Sequence, residues 1–154
     1  MGVQPINLPA PMWRVQLIRE GGASVRRTRP QITSPTEAAH ILLEYLSRLD
    51  REHFVVVVLD TKNRIIGFNT VAIGTINSAL VSSRETFKSA LLANATSIIL
   101  AHNHPSGDPT PSPEDVQVTR TLVEAGKLLD VTVLDHLVIG DERFVSLKER
   151  GLME

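Results

Sequence analysis

The chain has 154 residues, 42% of them apolar and 21% charged, with a formal charge of −1. Those figures fit one globular domain with a sizeable core, and they exclude a protein that is basic over its whole surface, as a general nucleic-acid binder would be. Cysteine is absent, which excludes disulfides, thiol catalysis and cysteine-ligated zinc.

Residues 1–11 hold three prolines and read as a loose tail. No basic start followed by an apolar block opens the chain, and the longest apolar run, FVVVVL at 54–59, is too short to span a bilayer. The expectation is a cytoplasmic protein without a membrane partner. In WRVQL, Trp13, Val15 and Leu17 alternate at the period of an edge strand. Five arginines (Arg14, Arg19, Arg26, Arg27, Arg29) against Glu20 then make residues 14–29 locally basic, either a solvated arm or a nucleic-acid patch through Arg26, Arg27 and Arg29.

SPTE at 34–37 predicts a helix start, with Ser34 as cap, Pro35 in the first turn and Glu37 reaching back. Ala38, Leu42, Tyr45 and Leu49 continue it as a buried stripe. FVVVVLD does not alternate and predicts a strand buried on both faces. After the TKN turn, RIIGFNTVAIG predicts a second strand with a bulge at Gly67. Ser82 to Glu85 forms a capping box opening a helix to about Asn94, and SIILA at 97–101 is a short central strand. Ser112-Pro113-Glu114-Asp115 starts a third helix facing the core with Val118, Leu122, Ala125 and Leu129. VTVLDHLVIG and RFVSL close the chain as a hairpin around Gly140-Asp141. This mixed order predicts an α/β or α+β sandwich, a sheet with helices on its faces.

The central strand runs into AHNHPSGDPTPSPED. Two imidazoles two positions apart in an extended segment project from one face. Hydrolytic zinc sites commonly use three His or carboxylate ligands and leave a fourth position for water. His102 and His104 are two such ligands, and the proline-rich return brings Asp115 back in the first turn of a helix. Asp108 is a rival third ligand. Asp115 is equally explained as the acidic residue of a capping box, and the two histidines as polar turn residues.

A site of this kind needs a base to take a proton from water. Glu37 and Glu85 are occupied at helix starts, Glu44 and Glu124 lie mid-helix, and Glu114 points elsewhere round its helix. Glu52, at the mouth of the buried strand, is left as candidate base or exposed linker residue. His136 reads as a satisfied core or strand-end histidine or as a neighbour of the site. His53 flanks the strand and His40 lies on the first helix. Turn chemistry accounts for Asn103 and Ser106, and capping for Ser82 and Ser83.

"AHNHPSGDPTPSPED" resembles the JAMM motif of JAB/MPN-type metallopeptidases, an upstream Glu followed by H-x-H-x7-S-x2-D. Together with "EHFVVVVLDTKNRIIG", "GTINSALVSSRETFKSALLANATSIILAHNHPSGDPTPS" and "VLDHLVIGDERFVSL", it makes about residues 34–151 similar to the RadC family of bacterial proteins. The resemblance implies the MPN fold, a three-layer α/β sandwich related to cytidine deaminases, over residues 34–154, with residues 1–33 as a tail and edge strand. It implies His102, His104 and Asp115 as zinc ligands, Glu52 as general base and Ser112 as donor to an oxyanion.

The activity it implies is zinc-dependent hydrolysis of peptide or isopeptide bonds, with a protein or peptide as substrate. The alternatives are a metal-dependent nuclease or DNA-repair factor and a non-catalytic MPN interaction module; the ligand set also admits other divalent metals. Longer RadC-type proteins carry a helical N-terminal domain for which 33 residues are too few, so a stand-alone catalytic-type module is expected. Nucleobase deamination is excluded, because zinc deaminases need a P-C-x-x-C segment and the chain has no cysteine.

Overall fold

A computed structural model describes residues 9–21 and 29–154. The elements run α1 (Pro35–Leu46), β1 (His53–Leu59), β2 (Ile65–Ile73), α2 (Ser83–Leu92), β3 (Ser97–Asn103), α3 (Pro113–Leu129), β4 (Thr132–Ile139) and β5 (Phe144–Ser146). They form one five-stranded mixed sheet in the order β2-β1-β3-β4-β5. Only β3 and β4 are parallel, as their connection through α3 requires.

The alternation of side chains divides the core into two layers. Phe54, Val56, Val58, Ile98 and Leu100 face one way, against Phe87 and Ala90 of α2 and Val118 and Leu122 of α3. Val55, Val57, Leu59, Ile99 and Ala101 face the other way, against Ala38, Leu42 and Leu46 of α1. This is the expected three-layer α/β sandwich. It also explains why β1 carries no polar alternation: from Phe54 to Leu59 every side chain is buried on one face or the other. Each such burial contributes roughly 1.5–3 kcal/mol.

Local chemistry sets the helix starts. Ser34 Oγ accepts the Glu37 N–H, while the Glu37 carboxylate reaches back to Thr33, accepting its N–H at 2.7 Å and its hydroxyl at 2.8 Å. Ser82 caps α2 as expected, but the Glu85 carboxylate pairs with Lys88 at 2.8 Å instead of closing a capping box. Ser112 and Asp115 cap α3 reciprocally.

Several expectations are corrected. Tyr45 is 51% exposed and Leu46 fills its place in the core, because helix α1 ends there and the stripe continues Leu42 at a spacing of four. Leu129 is exposed, and Gly126 takes the final buried position of α3. The register of β2 against β1 is irregular at two places, Ile66 and Val71; the first lies beside Gly67, which itself pairs with Val58. Residues 13–17 form no strand: Trp13, Val15 and Leu17 are exposed and find no ladder partner among the described residues, so alternation there does not report a buried face. No helix among the described residues is long and apolar enough to cross a membrane.

Candidate metal centre

Strand β3 delivers the two histidines. Ile98, Leu100 and His102 share the face turned to α3, and the chain leaves the sheet at His104, whose N–H donates to the Ile139 carbonyl at 2.8 Å. The return loop is held against the β4–β5 turn by the Asp141 N–H on the Gly107 carbonyl at 2.8 Å. Contact there is so close that a Cβ on Gly140 would lie 2.4 Å from the Gly107 oxygen. The loop then enters α3, and Asp115, 2% exposed, turns its carboxylate toward both imidazoles.

The distances are short and mutual. His102 Nε2 lies 3.1 Å from His104 Nε2. Asp115 Oδ1 is 3.2 Å from the first and Oδ2 is 3.2 Å from the second. Glu52 Oε1 stands farther out, 3.8 Å from His104 Nε2. Ligand atoms of Glu52, His102 and His104 all fall within 4.8 Å of one another, so this group could hold a metal ion.

Hydrogen-bond polarity supports that fit. His104 Nδ1 is 2.8 Å from the Asp108 carbonyl, which can only accept, so Nδ1 carries the hydrogen and Nε2 of the neutral ring presents a lone pair. Carboxylate oxygens and an imidazole lone pair facing one another need a cation between them. A tetrahedral ion with bonds of about 2.0–2.1 Å spaces its ligand atoms about 3.3–3.4 Å apart, near the spacings found.

Without a metal, a proton serves instead. The hydrogen bond to Asp115 raises the His104 pKa above its ordinary value; burial opposes this, while the Asp108 carbonyl and the charges of Asp115 and Glu52 assist. Burial would raise the Asp115 carboxyl, but its contacts with the His102 and His104 rings and the Ser112 N–H outweigh it and hold the carboxyl far below the usual range. These two shifts describe one interaction from its two ends.

Glu52 is not a free linker residue: its carboxylate stands beside the histidine cluster. It is half-buried ahead of β1, and its Oε2 accepts the Ile76 N–H at 3.2 Å. Asn103, between the two histidines but facing the α1 side, grips the chain on both sides of it. Its Oδ1 accepts the His53 N–H at 2.7 Å and its Nδ2 donates to the Arg51 carbonyl at 3.0 Å. In the sequence Asn103 reads as turn chemistry; its opposite-face position within H-N-H is the signal that marks it.

Ser112 Oγ accepts the Asp115 N–H at 3.1 Å and the Ser112 N–H donates to Asp115 Oδ2 at 2.8 Å. The hydroxyl hydrogen takes no protein partner among the described residues. Asp108 Oδ1 turns to Thr110, accepting its N–H at 3.0 Å and hydroxyl at 2.7 Å, and Asp108 is not among the grouped side chains that could hold an ion with the two histidines. Glu44, Glu114, Glu124 and His40 are exposed on helices away from the cluster.

His136 is fully buried beside the centre. Its Nε2 lies 2.7 Å from His102 Nδ1 and its Nδ1 2.5 Å from Thr119 Oγ1. Phe54 stacks on His102 and meets His136 edge-on. Burial foremost, with the His102 and His104 rings beside it, pushes the His136 pKa well down. Of the arginines considered as a nucleic-acid patch, Arg26 and Arg27 lie outside the described residues, and Arg29 is exposed.

Comparison with known proteins places these residues in a family. Residues 32–152 match the family described as RadC-like JAB domain. A UPF0758 protein of Desulfitobacterium hafniense is 51% identical over 139 residues, covering 90% of this chain and 61% of that protein. One from Roseiflexus castenholzii is 56% identical over 124 residues, covering 80% and 53%. One from Desulforamulus reducens is 45% identical over 152 residues, covering 99% and 67%. The chain thus spans about three fifths of the length of several curated relatives. With the match running from the last residues before α1 to the end of the β5 turn, and the histidine-carboxylate centre inside it, the chain belongs to the RadC-like JAB domain family.

Proposed function

We propose that this centre is a metal-dependent hydrolytic site for amide bonds, peptide or isopeptide, with His102, His104 and Asp115 holding a zinc ion. The observation that supports this most is the convergence of the His102 and His104 Nε2 atoms and the Asp115 carboxylate at 3.1–3.2 Å, with a glutamate 3.8 Å from His104 Nε2. A bound divalent ion would polarise the scissile carbonyl and lower the pKa of the attacking water to about 7.

The chain's own residues do the rest. Glu52 accepts the proton of the attacking water and returns it to the leaving amine, which is why its carboxylate is anchored through only one oxygen, by the Ile76 N–H. Ser112 uses a lone pair as helix cap and keeps its hydroxyl hydrogen for the oxygen on which charge develops. Asp115 is kept ionised and aimed by the Ser112 N–H.

The test uses the full chain, zinc-loaded, against mixed peptide and isopeptide substrates, with cleavage read by mass spectrometry. Glu52→Gln should retain zinc and lose turnover by about 10²–10⁴-fold. Undiminished turnover in that variant removes Glu52 from the mechanism, and zinc-loaded protein that cleaves no amide bond overturns the proposed reaction.

A further inference from the structure

Hydrogen-bond polarity extends beyond the two histidines into the interior, to a residue that packing alone would account for. On α3, the Thr119 hydroxyl is 2.6 Å from the Asp115 carbonyl. A carbonyl only accepts, so the hydroxyl hydrogen is spent there. What Thr119 Oγ1 offers His136 Nδ1 is therefore a lone pair, and Nδ1 must carry a hydrogen. The other nitrogen of this buried, neutral ring, Nε2, is then an acceptor. It faces His102 Nδ1 at 2.7 Å, which must in turn be N–H. That leaves the neutral His102 ring with its lone pair on Nε2, the atom aimed at His104 and Asp115.

We propose that His136 is a positioning residue that fixes the tautomer and ring orientation of His102, through a one-way hydrogen-bond chain anchored by Thr119 on the main chain of Asp115. The chain is a circuit with one gap. It leaves the Asp115 carbonyl, passes through Thr119, His136 and His102, and ends on the His102 Nε2 lone pair 3.2 Å from the Asp115 carboxylate, so that only a cation held between these two acceptors completes the circuit. The same residue therefore fixes the helix turn that presents one ligand and the ring that presents another.

Register makes this possible. In the parallel β3–β4 pair, Leu100 stands beside His136 and His102 beside Val138. His136 thus lies two residues deeper than His102 on the neighbouring strand and on the same face. Phe54 closes the other side, with its ring centroid 5.4 Å from His136 and 6.2 Å from His102. All four side chains are fully buried or nearly so, and His102, Thr119 and His136 have no exposed surface. Water therefore has no access to substitute for a missing partner, and a hydrogen bond lost from this chain leaves a buried polar group without one.

The inference rests on the metal-site reading for its purpose but not for its hydrogen-bond pattern, and the experiment separates the two. Ring nitrogens of metal-free wild type are observed by long-range proton–nitrogen NMR. His136 and His102 should both show slowly exchanging Nδ1 protons; a His136 ring protonated at Nε2 overturns the chain. Zinc affinity is then measured by chelator competition on wild type, His136→Leu and His136→Gln.

Leu removes the acceptor for His102 Nδ1–H and should weaken zinc binding about 10–100-fold, the usual effect of losing a partner that orients a ligand. Gln restores an acceptor oxygen near the Nε2 position and should stay within a few-fold of wild type. Equal affinity in wild type and a folded His136→Leu overturns the positioning role, as does equal loss in Leu and Gln variants with the His102 Nδ1 proton still protected. A wild type that takes up no zinc overturns the metal site itself. If His136→Leu fails to fold, Thr119→Val breaks the same chain without changing side-chain volume. It should weaken zinc binding severalfold, and unchanged affinity there overturns the proposal.

Discussion

Replacing Asn103 with alanine tests how Glu52 is placed. The side chain is 2% exposed and makes two hydrogen bonds, 2.7 Å from the His53 N–H and 3.0 Å to the Arg51 carbonyl. Arg51 is exposed, so its carbonyl can turn to water, whereas the His53 N–H at the strand entrance is half-buried. One ordinary hydrogen bond at about 1 kcal/mol and one poorly replaced donor at about 1–3 kcal/mol give a loss of about 2–4 kcal/mol. With a urea m-value of about 2 kcal/mol/M, the midpoint falls by about 1–2 M. Amide exchange at His53 should accelerate by at least about tenfold, since about 1.4 kcal/mol corresponds to a factor of ten.

Zinc affinity should stay near wild type, because Asn103 faces α1 while His102 and His104 face α3. Asn103→Asp keeps the acceptor for His53 but loses the donor to Arg51, and should recover about half of the stability. An alanine variant as stable as wild type, with His53 exchange unchanged, would refute this clamp. Zinc affinity falling in step with stability would mean that Asn103 supports the histidines and not Glu52.

Gly140→Ala puts a Cβ 2.4 Å from the Gly107 oxygen and 2.8 Å from Pro109 Cδ. The return loop must shift at a cost of about 1–3 kcal/mol, read as a Tm lowered by about 4–8 °C for 2 kcal/mol, with weaker zinc binding because Asp108 and its carbonyl move. Ser112→Ala removes the cap of α3, which should cost about 0.5–2 kcal/mol in urea unfolding, and should lower turnover while zinc is retained. Protons compete with zinc for His104, whose pKa is raised. Zinc affinity measured by competition should therefore fall with decreasing pH from above 6.5, and a flat profile across pH 6–8 would contradict the assignment.

In the metal-free protein the His104 contribution to stability is complete below pH 6.5, its ordinary pKa, and lost as pH rises through the raised value. The Asp115 contribution is complete above pH 3.8 and lost as pH falls through the depressed value. Urea midpoints of metal-free protein should show the pair stabilising most between these limits.

The elements with strong local causes were legible in the sequence. The three caps at Ser34, Ser82 and Ser112 and the unalternating run of β1 are one-dimensional signals, and the fold confirms them. Tyr45 against Leu46 was not legible, because both continue the Ala38–Leu42 stripe and only the position of the helix end decides. The strand expected at 13–17 failed because alternation creates a buried face only where a partner strand exists.

Within the site, His102, His104 and Asp115 come together as their spacing suggested. What holds them did not show in spacing. Asn103 meets its partners 50 and 52 positions away, and His136 meets His102 34 positions away through a parallel register that no local pattern encodes. The gap between Glu52 and the histidines is bridged by the antiparallel pairing of Phe54 with His102, which places the entrance of β1 beside the end of β3.

Elemental mass spectrometry of protein purified without added metal, beside a His104→Ala variant, bears on all of this at once. Roughly one zinc ion per chain in the wild type and none in the variant is the expected result. Wild type that holds no metal even after zinc is supplied, or a His104→Ala variant that keeps the full complement, would contradict the site described.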